Sequence, residues 1–117
     1  DTLRIRESAL ANPCGMAVEA DAFFSCEYAA AHLIHRFPKP VICWGSGIVM
    51  GAGLGLMAGG SHRIVTNKST LAMPEISIGL FPNVGASWFL GQMPGATGLF
   101  TALTSAYLSP ADALYAG

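Results

Sequence analysis

The chain has 117 residues, of which 52% are hydrophobic and only 11% charged, with a formal net charge of −1. That length fits one domain or part of one, and the charged share is far below the ~25% usual for soluble domains. So few charges cannot coat an independent globule of this size, so other segments or chains cover much of the surface, or it meets lipid. The balance also leaves no basic footprint for a nucleic acid.

The three cysteines, Cys14, Cys26 and Cys43, are odd in number and share no metal-ligand spacing. They predict buried thiols in a reducing compartment rather than a disulfide frame. The chain begins at Asp1 without an apolar leader and ends just after a helix-like pattern, which reads as part of a longer product.

Residues 1–18 carry weak signals, with Arg4, Arg6 and Glu7 on a short helix or surface loop and a turn at Asn12-Pro13. From Glu19 to Arg36 the pattern is helical, with Ala22, Phe23, Cys26, Ala30, Leu33 and Ile34 recurring at spacings of three and four. Glu27 and His35 fall off that stripe or at its edge. Pro38 and Pro40 end the helix.

Val41 to Trp44 is a short, fully apolar run that predicts a strand buried on both faces. Gly45, Ser46 and Gly47 break it, and Ile48-Val49-Met50 leads to Gly51-Ala52-Gly53 and a short buried helix up to Ala58, stopped by Gly59-Gly60. Arg63–Thr66 and Thr70–Met73 read as strands joined by a turn at Asn67-Lys68, close enough to pair as a hairpin. From Ile76 to Ala111 there is no Asp, Glu, Lys, Arg or His. Short helices are expected near Ala86–Leu90, Gly95–Thr104 and Pro110–Tyr115, the last opened by the Ser109-Pro110 cap.

The stretch from Val41 to Glu75 concentrates the chemistry. Glycines after a strand let backbone N–H groups approach a ligand closely, and a helix start aims free donors and a positive dipole end at an anion. Such donors stabilise a thioester enolate or a tetrahedral oxyanion. Three other readings stay open. The glycines could serve tight helix packing. Gly53-x-Gly55-x-x-Ala58 with Glu75 beyond fits a loose dinucleotide fingerprint. Val41 to Gly60 is also 20 residues without a charge, as in a membrane span, although it holds seven glycines.

Glu75 is the sharpest single residue, the only acid between Glu27 and Asp112 and set in an apolar stretch. Burial there raises a carboxyl pKa or demands a partner. The alternative is a carboxylate capping nearby backbone N–H groups. Asn83 lies in a proline/glycine turn, where Asn is most often structural. His32, His35 and His62 have no nucleophile or metal partner at a telling spacing, and Trp44, Trp88 and the phenylalanines read as core.

At Gly47-Ile-Val-Met-Gly-Ala-Gly-Leu-Gly-Leu56, Ala72-Met-Pro-Glu-Ile76 and Gly79-Leu-Phe-Pro-Asn-Val-Gly85 the sequence resembles the crotonase (enoyl-CoA hydratase/isomerase) superfamily, and within it the 3-hydroxyisobutyryl-CoA hydrolases. The likeness runs from Phe23 to Ala113. It implies an α/β spiral of ββα turns, of which residues 1–117 would be a central portion, without the N-terminal oxyanion segment and the C-terminal oligomerising helices. It implies thioester hydrolysis of a 3-hydroxyacyl-CoA, as in valine catabolism, with coenzyme A entering as part of the substrate and no separate cofactor or metal.

Residue by residue, the resemblance implies that the Ala52 N–H is an oxyanion donor where the family usually has glycine. Glu75 becomes the catalytic carboxylate, attacking the carbonyl or activating water. Glu27 contacts substrate. Asn83 stands where the hydrolases carry an aspartate, and it cannot exchange a proton near neutral pH. The hydratases place a first glutamate in the helix after the glycine turn, where this chain has Gly55. Homo-oligomerisation of the longer protein, no nucleic-acid or membrane partner, and a cytoplasmic location (mitochondrial in a eukaryote) complete these expectations.

Overall fold

A computed structural model describes residues 2–13, 15 and 17–117. Helix α1 (Thr2–Ala11) is followed by the long α2 (Val18–Arg36). Two β–β–α units then succeed one another. Strands β1 (Ile42–Gly45) and β2 (Ile48–Met50) lead into α3 (Ala52–Gly59). Strands β3 (His62–Val65) and β4 (Thr70–Ala72) lead into a 3-10 turn at Pro74–Ile78 and the short α4 (Ala86–Phe89). Helices α5 (Thr97–Thr104) and α6 (Pro110–Ala116) close the chain, and Ser109 opens α6 with a reciprocal capping box to Asp112.

Each strand pairs with its counterpart in the other unit. β1 runs parallel to β3, with Ile42 opposite His62, and β2 runs parallel to β4, with Met50 opposite Ala72. The chain therefore climbs one ββα unit per turn, as the resemblance implied. The expected β3–β4 hairpin does not form. A tight hairpin turn wants positive φ at its central residues, and neither Asn67 nor Lys68 has it. The corner is instead tied to the end of β1: the Thr66 N–H donates to Ser69 Oγ (2.7 Å), and the buried Ser69 hydroxyl donates to the Gly45 carbonyl (2.6 Å). That bond holds the chain at the point where it leaves one sheet for the other.

The core is Leu54, Leu71, Met73, Ala86 and Leu90, with Val49, Val65 and Leu108 packed against it. An antiparallel bridge from Leu108 to Leu71 brings the C-terminal part onto β4. Three expectations are corrected here. β1 is not buried on both faces, since Ile42 and Trp44 are 66% and 68% exposed, and Trp88 also stands half in solvent. The thiols are not buried: Cys26 is exposed and Cys43 intermediate, while Cys14 lies outside the described residues. The span reading of residues 41–60 gives way to two short strands and α3, and among the described residues no helix is long and apolar enough to cross a membrane.

The stripe of α2 is also phased differently. Its half-buried residues are Ala20, Phe24, Glu27, Ala31 and Ile34, while Phe23, Cys26, Ala30 and Leu33 face out. The reason is the partner surface. α2 lies on α3, where Gly59 faces Ile34 and Ala31. Glu27 is thereby turned inward. The accessible surface is 7568 Å², against about 6,000 Å² for a compact globule of this mass. Much of the excess is apolar, with Ile48, Phe81 and Leu114 each more than two-thirds exposed. The low charge content thus accompanies uncovered apolar faces.

Candidate active site

Because β2 and β4 are parallel, both chains leave the sheet at the same edge. Met50 opposite Ala72 puts the glycine turn beside the Met73-Pro74-Glu75 exit. The Gly51 N–H donates to the Ala72 carbonyl at 3.0 Å, locking the two exits together. Gly51 adopts φ +55° and ψ −128°, a conformation that side-chain-bearing residues rarely take. That twist starts α3 immediately. The N–H groups of Ala52, Gly53 and Leu54 belong to its first turn and so lack intrahelical acceptors, at the positive end of the helix.

Glu75 is held against this turn. Met73, fully buried, anchors the strand exit, Pro74 sets the first position of the 3-10 turn, and Gly79 in the left-handed region ends it. The Glu75 side chain is 7% exposed. Its Oε1 lies 2.9 Å from the point a Cβ on Gly51 would occupy, so only glycine lets the carboxylate come this close. Its Oε2 is buried with no hydrogen-bond partner. The capping alternative for Glu75 is therefore not what the fold uses. A buried polar atom without a partner costs roughly 1–3 kcal/mol.

Glu27 reaches the same place from α2. Its carboxyl is raised above the ordinary glutamate value, first by burial and then by the negative charge of Glu75. Two carboxylates therefore share one electrostatic environment, from elements 48 residues apart in sequence (75 − 27). Asn83 is placed by a strained turn in which Val84, a buried β-branched residue, has φ +49° and Gly85 φ +81°. Its Nδ2 donates to the Tyr28 hydroxyl at 3.2 Å, so it meets α2 beside Glu27 rather than bonding Glu75. Tyr28 and Gly51 are the residues that sequence reasoning did not single out. Tyr28 follows Glu27 without a signal of its own, whereas Gly51 is one glycine among several, set apart from the equally left-handed Gly47 by its approach to Glu75 Oε1.

Gly55 settles two of the open readings. A Cβ there would stand 2.6 Å from the Val84 carbonyl oxygen and 2.6 Å from the Val84 Cβ. Position 55 therefore has no room for a side chain in this arrangement, and tight packing accounts for that glycine. The dinucleotide fingerprint also lapses, because Gly53 and Gly55 lie within α3 rather than in the turn before it.

Two cavities flank the region. One of about 350 Å³ lies between α2, α3 and α4 and is lined in part by Tyr28, Gly55 and Val84. Another, of about 230 Å³, is lined by Leu71 and Leu108 and reaches α6. Its wall holds Arg63 and the end of α6 but neither Tyr28 nor the Val84 turn, so it shares no residue with the Asn83–Tyr28 contact.

A sequence profile of the enoyl-CoA hydratase/isomerase family matches residues 1–117. The small ribosomal subunit protein mS47 of Neurospora crassa is 44% identical over 90% of this chain and 20% of its own length. The probable 3-hydroxyisobutyryl-CoA hydrolase 3 of Arabidopsis thaliana is 44% identical over 81% of this chain and 25% of its own. The crystal structure of a carnitinyl-CoA dehydratase from Mycobacterium thermoresistibile superposes with a TM-score of 0.90 at 43% identity, covering 98% of this chain and 33% of that one. The chain thus spans between a fifth and a third of the length of these relatives. With its parallel ββα turns and a profile match along its whole length, it belongs to the enoyl-CoA hydratase/isomerase, or crotonase, family.

Proposed function

We propose that the longer protein to which this chain corresponds is an acyl-CoA thioester hydrolase acting on a 3-hydroxyacyl-CoA such as 3-hydroxyisobutyryl-CoA. The observation that carries this reading is the unpartnered Glu75 carboxylate buried against Gly51, at the N-terminal end of α3. In it, the Ala52 N–H polarises the thioester carbonyl, and the added Ala52 methyl leaves that donor in place. Water adds to the carbonyl carbon as Glu75 takes its proton. The carbon–sulfur bond then breaks, and the departing thiolate recovers that proton from Glu75, giving free acid and CoA.

Glu27 and Asn83 orient the substrate in this scheme, Asn83 through its bond to Tyr28. Hydration by an acid/base pair is disfavoured because Gly55 is sealed against Val84. The substrate is the only partner required. Several vertebrate relatives at 42–43% identity are named mitochondrial, which supports that compartment if the source is eukaryotic. The test is CoA release followed with a thiol reagent: Glu75→Gln should lose about 10²–10⁴ in rate, and full activity in that variant would overturn the assignment.

A second reading is a family member without hydrolase activity. It is favoured by Asn83 in place of an ionisable residue and by a ribosomal subunit protein among relatives of equal identity. Asn83→Asp that still releases no CoA would favour it.

A further inference from the structure

The cavity of about 350 Å³ between α2, α3 and α4 is not walled by either acid but by their neighbours: Tyr28, which follows Glu27 and bonds Asn83, and the Val84–Gly85 turn. On α2, Ala31 lines it one helical turn after Glu27; on α3, Gly55 and Gly59 line it one and two turns after Gly51, the residue that meets Glu75. With a pitch of about 5.4 Å per turn, these lining residues stand about one to two turns along α2 and α3 from Glu27 and from the Gly51 that meets Glu75. At the mouth, the Tyr28 hydroxyl accepts from Asn83 and keeps its own O–H free to donate.

The lining has no Asp, Glu, Lys or Arg. Its far wall is the Trp88 indole with the His35 ring packed edge-on, centroids 4.7 Å apart at 71°. Such walls suit a flat, uncharged ring, which gains from edge-to-face or offset contacts beyond its buried area. Size points the same way. A cavity of about 150 Å³ holds one benzene, so about 350 Å³ holds a phenyl ring with its linking carbons and is left mostly unfilled by a four-carbon acyl group.

We propose that this cavity is the acyl subsite and that the preferred substrate is a 3-hydroxyacyl thioester carrying an aryl group beyond its hydroxyl-bearing carbon. The proposal rests on the hydrolase reading for its turnover and on the cavity alone for its binding. Trp44 and Trp88 are the only tryptophans, and Trp44 lies outside this cavity. Trp44→Phe leaves Trp88 as the one indole of residues 1–117, and the same titration with Trp88→Phe added subtracts any indole elsewhere in the longer protein.

The experiment titrates that variant with 3-hydroxy-3-phenylpropionyl-CoA and with 3-hydroxyisobutyryl-CoA, and follows both indole fluorescence and CoA release. The phenyl thioester should perturb Trp88 fluorescence saturably and show a kcat/KM at least tenfold above the four-carbon thioester. Ala31→Leu should lower that preference at least tenfold, in the range that a filled pocket produces. Hydrolysis of both without a Trp88 response, or with equal kcat/KM, overturns the subsite and leaves the hydrolase. A saturable Trp88 response without CoA release overturns the hydrolase and keeps the subsite. Neither response overturns both.

Discussion

Gly51 and Gly53 lie two residues apart at the start of one helix, yet alanine should act on them with opposite sign. At Gly51 the chain stands at φ +55°, which costs a side-chain-bearing residue about 1–3 kcal/mol. That is roughly a 5- to 150-fold loss in the folding equilibrium. The new Cβ would also sit 2.9 Å from Glu75 Oε1 and force the carboxylate aside. A shift of 1 Å at a reacting group can cost about 10² in rate, so a few tenths of an ångström should cost about tenfold. At Gly53 a Cβ meets nothing within 4 Å, and φ is not positive. Alanine there should stabilise by about 0.5–1 kcal/mol. Urea unfolding and thioester hydrolysis on both variants read the two effects. If Gly51→Ala and Gly53→Ala move stability and rate alike, the contact between the glycine turn and Glu75 is wrong.

The remaining predictions use other contacts. Glu75→Gln should unfold at equal or higher urea while losing activity, because a buried, unpartnered carboxylate becomes a neutral amide with less to lose on desolvation; a large destabilisation would mark Glu75 as structural. Glu27 has its folded-state pKa raised by burial and by Glu75. The folded state therefore binds the extra proton, and this contribution is present below the ordinary value near 4.5 and lost as pH rises through the higher folded value. Glu27→Gln should flatten the fall in stability over that window, and an unchanged profile would exclude the coupling. Gly55→Ala should destabilise by about 1–3 kcal/mol through overpacking against Val84, although alanine is the better helix former. Ser109→Ala should cost about 0.5–2 kcal/mol by opening the α6 capping box, as a thermal melt would register.

What could be read from the residues, and what could not, divides along the range of the forces involved. Helix α2, the short helix after the glycines and the Ser109 cap were legible because period, breakers and capping act within a few residues. Glu75 stood out because one acid in an apolar stretch is costly wherever the chain goes. The phase of α2 differs by one position from the sequence pattern, since Phe23 and Leu33 look like core residues until α3 takes the Ala31–Ile34 face instead. Trp44 departs for a related reason: among the described residues no element packs over its face of β1, which leaves it 68% exposed.

The sequence by itself determined the family, the spacing of the glycine turn and the single buried acid. Only the tertiary structure decided that β4 turns away from β3 to lie parallel to β2, and that decision brings Gly51 to Glu75. It also turned Glu27 inward and tied Asn83 to Tyr28. Local propensity is nearly the same for a strand whichever neighbour it takes. The choice was made by a buried serine holding a corner and by a glycine small enough to admit a carboxylate, contacts that exist only once distant parts of the chain have met.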